Sequence, residues 1–213
     1  MQLAADRARA LALTPVSRET AERLERFAAA LLAWQERTHL IAPSTVPHLW
    51  TRHITDSLQL IDLAPDARVW VDVGSGGGFP GLVIACALAD HAATAVHLVE
   101  SNVKKAAFLR EAQRITHAPA VIHGARMEAV ILSLERADVV CARAVAPLGA
   151  LLALCFPLME KTKSLGLFPK GRNAEVELRE AAQMWTMDAK LLKSRTDPKA
   201  NIVLIRDLRP RRP

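Results

Sequence analysis

The sequence predicts an α/β protein built on a doubly wound, mostly parallel seven-stranded sheet. From residue 68 onward, short apolar runs alternate with helical segments, which is typical of parallel strands joined by helices. The last two apolar runs are too close together for such a crossover. At 213 residues and 51% hydrophobic content, the chain has ample material for one core. We therefore predict one α/β domain, residues 68–213, preceded by a helical extension, residues 1–67, that packs on it.

The extension is predicted to hold two helices. The first covers residues 18–40 and can be capped by Ser17. The second covers residues 46–62 and ends before the turn that Pro65 marks. Apolar residues recur at helical spacing along the first helix, at Leu24, Phe27, Leu31 and Trp34.

The sheet is predicted from seven apolar runs. The first five are strands at residues 69–74, 95–100, 120–123, 137–143 and 165–171. Helices at 81–89 and 102–115 connect the first three, and right-handed crossovers place helices on both faces of the sheet. The runs at 190–194 and 201–207 form the last pair. Parallel neighbours need a dozen or more connecting residues, so this pair is an antiparallel hairpin with Asp197-Pro198 in its turn.

Charge and cysteine content limit the class of protein. Net charge is +6, and residues 68–213 hold 21 basic and 14 acidic side chains against 7 and 8 in residues 1–67. This asymmetry favours a polyanionic partner, with a merely soluble basic protein as the alternative. The three cysteines form no pairing motif and indicate buried thiols in a reducing compartment. We expect a cytoplasmic protein without a signal peptide or membrane span.

The stretch VDVGSGGGFPGLVIA, residues 71–85, follows the first strand. Ligands of open α/β sheets bind at the carboxyl ends of strands, and glycines there let the backbone turn sharply beside a ligand. A phosphate-binding P-loop is excluded, because no Lys-Ser or Lys-Thr follows these glycines. Two ligand classes remain, beside a purely structural loop.

The first class is a dinucleotide. Its G-x-G-x-x-G pattern fits Gly76, Gly78 and Gly81, with Glu100 placed to hold a ribose. The second is S-adenosylmethionine, whose acidic-x-Gly-x-Gly-x-Gly loop begins here at Asp72. Electrostatics favours the second, because a pyrophosphate beside Asp72 would meet a like charge, whereas S-adenosylmethionine carries a sulfonium and an amino group.

Five segments of the sequence match one set of motifs. They are RHITDSL (52–58), DVGSGGGFPG (72–81), LVESNVKKAAFLRE (98–111), ADVVCARAVAPL (137–148) and FPKGR (168–172). Together they resemble the small-subunit ribosomal RNA guanine-N7 methyltransferases, historically called glucose-inhibited division protein B, over roughly residues 30–207. The chain departs from the family's W-N-x-x-x-N-L signature, with Trp34-Gln35 and His39-Leu40 in its place.

The resemblance implies a Rossmann-like class I methyltransferase that uses S-adenosylmethionine. The implied substrate is one guanosine of 16S ribosomal RNA, within the small ribosomal subunit, and the product is 7-methylguanosine. Guanine N7 carries a free lone pair, so alignment suffices and no general base is expected. We expect a monomer with no metal site, and no catalytic side chain is nominated.

The resemblance also implies site residues. Cofactor contacts are expected from Asp72, Gly74, Gly76, Phe79, Glu100, Met127, Glu128 and Arg143. Position, rather than the resemblance, predicts RNA contacts from Lys104, Lys105, Lys170 and Arg172, because these residues follow the second and fifth strands at the carboxyl edge of the sheet. For each lysine, a solvated surface charge is the alternative. Arg143 has a structural alternative as the ion-pair partner of Asp72 or Glu128. His53 and Asp56 are interpreted as a hydrogen-bonded structural pair.

Two other functions stay open on the residues alone. One is a nonenzymatic RNA-binding protein on a vestigial methyltransferase fold, against which the intact glycine loop argues. The other is a methyltransferase for a small molecule or a protein, which the basic charge of residues 68–213 disfavours.

Overall fold

The computed structural model describes residues 2–131 and 133–211. The helices are α1 (Gln2–Leu13), α2 (Arg18–Gln35), α3 (Asp56–Leu58), α4 (Gly81–Ala87), α5 (Val103–Thr116), α6 (Met127–Val130), α7 (Leu148–Thr162) and α8 (Ala174–Met184). The strands are β1 (Val69–Val73), β2 (Ala95–Val99), β3 (Ala120–His123), β4 (Val139–Cys141), β5 (Leu165–Lys170), β6 (Trp185–Lys193) and β7 (Asn201–Pro210).

The strands form one sheet in the order β3-β2-β1-β4-β5-β7-β6. Strands β1 to β5 pair in parallel, and β7 is antiparallel to both β5 and β6. In the hairpin turn, the Ala200 N–H donates to the Asp197 carbonyl oxygen over 2.9 Å. The predicted mixed sheet and its C-terminal antiparallel hairpin are therefore confirmed.

Helices cover both faces of the sheet. Neighbouring side chains of a strand point to opposite faces, so the apolar residues of β1 need a helix layer on each side. Trp70 of β1 joins a buried cluster with Phe27 of α2 and Phe108 of α5. The next residue, Val71, joins a second cluster with Leu151 of α7. The three cysteines are buried thiols, as predicted.

The predicted helix over residues 46–62 is wrong as a single element. The chain instead forms a 3₁₀ segment (Pro43–His48), a π-helical segment (Trp50–Thr55) and then α3. Pro47 lies inside the first segment and has no N–H for an α-helical hydrogen bond. The backbone N–H groups of Trp50 and Thr51 are taken by the buried carboxylate of Asp6 in α1. No helix was predicted in residues 2–13, so the sequence analysis did not identify Asp6 as an acceptor for these N–H groups.

Helix α2 begins after its predicted cap, since the Ser17 hydroxyl accepts the Thr20 N–H. It ends at Gln35, five residues earlier than predicted. The Gln35 side chain accepts the N–H groups of Leu40 and Ile41 and donates to the Ile41 carbonyl oxygen. This side chain therefore holds the chain in a turn that brings residue 40 toward the glycine loop.

The bounds of two strands also differ from the sequence prediction. Strand β4 has only three residues, and β6 begins five residues earlier than predicted. Helices α7 and α8 were not singled out from the sequence. Within the described residues, the structure has no helix with the length and apolar character needed to cross a membrane.

Candidate cofactor and RNA site

The glycine loop connects β1 to α4 and adopts a backbone that other residues rarely take. The φ angles of Gly74, Gly76 and Gly78 are 72°, 54° and 90°. A Cβ at Gly74 would lie 2.6 Å from Cγ2 of Val145, so a side chain there would clash as well. Glycine is thus required both for the turn and for close approach of the neighbouring loop.

Asp72 lies beneath this loop and is fully buried. Its Oδ2 accepts the Gly81 N–H over 3.0 Å at the start of α4. Its Oδ1 has no hydrogen-bond partner among the described residues. Burial raises the pKa of Asp72 to about 6, and the Gly81 N–H offsets part of that rise. An unpartnered buried oxygen is a candidate acceptor for a cationic donor, and this side chain lies behind the loop rather than on a cavity wall.

Glu100 follows β2 and is buried. Its Oε2 accepts the Gly76 N–H over 2.9 Å, and its Oε1 accepts the Asn102 N–H over 2.7 Å. One carboxylate thereby ties the glycine loop to the start of α5. Each oxygen keeps a further lone pair, so Glu100 can still accept from a hydroxyl.

A small cavity of about 180 Å³ opens beside this carboxylate. It is lined by predicted cofactor residues, namely Gly74, Glu100, Met127 and Glu128, and also by Val145. Met127 and Glu128 begin the short helix α6. The structure thus brings together four predicted cofactor residues from three segments that are distant in sequence.

Arg143, just beyond β4, belongs to a different cluster. Its guanidinium donates to the Arg52 carbonyl oxygen over 3.0 Å and to Asp56 Oδ2 over 3.3 Å, and it contacts His53 Nδ1. It also lies over the Phe79 ring, 5.3 Å from the centroid. The predicted structural partners, Asp72 and Glu128, were wrong, because the carboxylate that pairs with this guanidinium belongs to Asp56.

His53 is neutral in this cluster. Burial lowers its pKa to about 3, with a smaller effect from the charge of Arg143. A guanidinium only donates, so Nδ1 must accept and Nε2 carries the proton. Nε2 then donates to the Thr45 hydroxyl over 2.9 Å. The predicted direct pair of His53 with Asp56 was wrong, since the two side chains are joined through Arg143.

Phe79 is buried between the glycine loop and the helical extension. Its ring centroid lies 5.3 Å from that of Phe27 and 4.9 Å from that of His53. Neither Phe79 nor Asp72 lines the small cavity. Phe79 therefore supports the loop from behind.

A large cavity of about 590 Å³ adjoins the small one. Its wall includes Arg52, Arg143, Val145 and Lys170, and Val145 belongs to both cavities. Sequence analysis did not single out Val145. The sequence could have indicated Val145, because it follows Arg143 by two residues at the carboxyl end of a strand, where ligand-binding residues lie in such sheets.

The four predicted RNA residues differ in their surroundings. Lys104 and Arg172 are exposed, and Lys105 is half-buried. Lys170 has a side chain only 9% exposed, and its Nζ donates to Glu177 Oε2 and to the Ala146 carbonyl oxygen. The ammonium of Lys170 is therefore engaged inside the protein, which leaves the RNA prediction without support at this residue.

Comparison with known proteins identifies the relatives. The family described as rRNA small subunit methyltransferase G matches residues 20–203. A ribosomal RNA small subunit methyltransferase G from Bradyrhizobium sp. (strain BTAi1 / ATCC BAA-1182) is 55% identical over 204 residues, 95% of this chain and 91% of that protein. A protein of the same name from Methylobacterium sp. (strain 4-46) is 52% identical over 204 residues, 95% of this chain and 96% of that protein.

Solved structures agree on the fold. The O-methyltransferase from Bacillus cereus in complex with SAH has a TM-score of 0.60 at 14% identity, covering 97% of this chain and 98% of its own. An O-methyltransferase of tomaymycin synthesis from Streptomyces achromogenes has a TM-score of 0.56 at 13% identity, covering 85% and 89%. The fold is thus that of the class I methyltransferases. Since the family matches most of its length and relatives share half its residues, the chain belongs to the rRNA small subunit methyltransferase G family and is an enzyme.

Proposed function

We propose that the chain transfers a methyl group from S-adenosylmethionine to N7 of a specific guanosine in 16S ribosomal RNA. Membership of the family supports methylation of small-subunit ribosomal RNA. The observation that carries the cofactor assignment is the unpartnered Asp72 Oδ1, buried beneath a glycine loop. The choice of guanine N7 rests on the resemblance of the loop motifs.

The residues present fit S-adenosylmethionine. Asp72 offers an acceptor without a donor, and the ligand carries a cationic amino group and a sulfonium. A pyrophosphate ligand would place a second negative charge near this carboxylate, so the dinucleotide alternative is disfavoured. Gly74 and Gly76 leave room at the loop, and Glu100 can accept from ribose hydroxyls. Met127 and Glu128 bound the small cavity on its far side.

When bound, S-adenosylmethionine supplies an activated methyl group. The protein's own task is then to hold the acceptor in line and to exclude water, because N7 has a lone pair and no proton to remove. The large cavity has the size of an ordinary ligand pocket. Arg52 on its wall supplies positive charge for an RNA phosphate, and no proton transfer by a side chain is required.

Arg143 and Phe79 act in this proposal as positioning residues. Arg143 fixes Arg52, His53 and Asp56 on the wall of the large cavity, and Phe79 fixes the glycine loop against α2. Lys104, Lys105 and Arg172 are proposed as RNA contacts. Lys170 instead orders the loop before α7, because it holds the Ala146 carbonyl oxygen. The enzyme is proposed to act as a monomer in the cytoplasm.

The test is methyl transfer from tritiated S-adenosylmethionine to small ribosomal subunits from a strain that lacks this gene, followed by digestion to nucleosides. We expect label in 7-methylguanosine with wild type, and a loss of at least 100-fold with Asp72→Asn. Asp188→Asn is the matched control, because Asp188 is exposed in β6, the strand at the far side of the sheet from the cofactor loop. Label in another nucleoside would overturn the acceptor, and no label in RNA would overturn the function.

A further inference from the structure

A third cavity lies between the end of α2 and the start of α5. Its volume is about 480 Å³, and it is lined by Ala33, Trp34, Arg37, Thr38 and Lys104. It shares no residue with the small or the large cavity. We call it the Trp34 cavity.

The indole of Trp34 is held in place from one side. Its ring centroid lies 5.7 Å from that of Phe108 at an interplanar angle of 58°. Phe108 is fully buried and packs in turn on Phe27, with centroids 6.3 Å apart. Trp34 is itself only half-buried. The protein therefore presents a fixed aromatic surface to the cavity, which is what stacking on a nucleobase requires.

Two cations flank this surface. Lys104 precedes Phe108 by four residues on α5, so helical spacing puts it beside the aromatic pair. Arg37 lies in the turn after α2, where its N–H donates to the Trp34 carbonyl oxygen over 3.0 Å, and it lines the same cavity. Both are exposed. Among residues 2–131 and 133–211, the structure gives neither the Arg37 guanidinium nor the Lys104 ammonium a hydrogen-bond or ion-pair partner. No acidic side chain lines the cavity. The charge is thus uncompensated and suits an anion.

The Trp34 cavity lies at the same edge of the sheet as the cofactor loop. Helix α5 begins directly after Glu100, which binds Gly76. The turn after α2 leads to Leu40, whose carbonyl oxygen would lie 3.0 Å from a Cβ at Gly77. An RNA strand that enters the large cavity therefore has the Trp34 cavity along the same rim.

We propose that the Trp34 cavity is a subsite for one unstacked nucleotide of the RNA substrate, with the base on the Trp34 ring and its phosphate between Arg37 and Lys104. The inference rests on the proposed function, since it takes RNA as the substrate. A fixed ring, two unpaired cations and the volume of a ligand pocket together match single-stranded RNA. The subsite selects an unpaired base beside the target without reading its sequence.

The experiment measures binding of small ribosomal subunits lacking the modification, by filter retention at several salt concentrations. For Arg37→Ala/Lys104→Ala we expect affinity to fall at least tenfold, and the salt slope to fall by about 0.7, for the one phosphate that the two cations neutralise. For Trp34→Leu we expect a loss of roughly 5- to 100-fold, as for one base–aromatic stack. Trp34→Phe keeps a ring and should stay within about threefold of wild type.

Arg206→Ala/Arg209→Ala is the charge-matched control, because both arginines are exposed near the end of β7, at the opposite edge of the sheet. It should bind subunits like wild type. All variants should keep their affinity for S-adenosylmethionine, and the two double variants should keep their melting temperature. Trp34→Leu loses packing on Phe108, so it is compared at a temperature at which it remains fully folded. The proposal is overturned if the Arg37/Lys104 variant binds as tightly as wild type, or if the Arg206/Arg209 variant loses as much. Failure of wild type to methylate RNA would instead contradict the proposed function. The comparison of binding affinities would still test whether the Trp34 cavity binds RNA.

Discussion

At the scale of single residues, the buried carboxylate of Asp72 destabilises the ligand-free protein, and we propose that it stabilises the complex with S-adenosylmethionine. Its pKa rises from 3.8 to about 6 because burial disfavours the charge. Between these values Asp72 binds more protons in the folded state than in the unfolded state, so its contribution to the free energy of unfolding falls as pH rises from about 4 to 6. At pH 7 the ionised carboxylate then costs up to about 3 kcal/mol.

Asp72→Asn should remove this contribution. The lowered pKa of His53 makes the free energy of unfolding rise with pH in both proteins, so the two must be compared. We expect urea unfolding to show the ligand-free variant gaining roughly 2 kcal/mol over wild type between pH 4.5 and 7.5. Calorimetry should show at least a tenfold loss of affinity for S-adenosylmethionine, because the cation loses its counter-charge. Wild type should itself bind more tightly at pH 7 than at pH 5. An equal pH slope in both proteins would contradict this account.

Arg143→Ala should lower stability as well as activity. Arg143 and Asp56 have side chains only 18% and 14% exposed, so removing one partner leaves a poorly solvated charge. Asp56 keeps its hydrogen bonds from Ser194 and Thr196, so we expect a loss of about 2 kcal/mol. Thermal unfolding measures it. An unchanged melting temperature together with lost methyl transfer would instead make Arg143 a direct ligand contact.

At the scale of elements, the glycine loop depends on its neighbour across the sheet. Gly74→Ala combines a strained φ of 72° with a contact of 2.6 Å to Val145. We expect it to weaken binding of S-adenosylmethionine at least tenfold by calorimetry. Adding Val145→Ala should recover part of the loss, since it removes the clash but not the strain. Recovery of the full wild-type affinity would show that only the clash with Val145 weakened binding. No recovery of affinity would show that the strained backbone at residue 74 caused the whole loss.

Elements that depend on local spacing could be predicted from sequence. The α5 helix was placed within one residue, because Asn102 caps it and its apolar residues repeat at 3.6. The segment after Pro43 could not be predicted in this way, since Asp6 accepts the N–H of Trp50 from 44 residues away in sequence. Periodicity carries no information about such a partner. The same reason hid the Arg143–Asp56 pair, which spans 87 residues.

At the scale of the whole molecule, we propose that residues 1–67 and 68–213 fold as one cooperative unit. One buried cluster contains Phe27 of the extension together with Trp70 and Leu82 of the α/β part. Asp6 also satisfies two backbone donors and the Thr51 hydroxyl. A division at residue 67 would expose apolar surface on both sides.

Asp6→Ala should therefore destabilise the entire protein by about 2–3 kcal/mol, because it leaves buried donors of Trp50 and Thr51 without an acceptor. Chemical denaturation followed by tryptophan fluorescence and by circular dichroism should give one coincident transition, shifted to lower denaturant. Arg18→Ala, whose partner Glu22 forms an exposed pair in α2, is the control and should change stability by less than about 0.5 kcal/mol. Two separate transitions would show that the extension folds independently.

The contact between Gly77 and residue 40 has a consequence for how this protein can change. A Cβ at Gly77 would meet the carbonyl oxygen of Leu40 at 3.0 Å, and that oxygen is part of the main chain. No exchange of the side chain at position 40 can make room for it. A lineage that lost this glycine would have to shift the main chain at residue 40 by a few tenths of an ångström, against the Gln35 side chain that holds it. Substitutions in the extension and in the loop are therefore coupled.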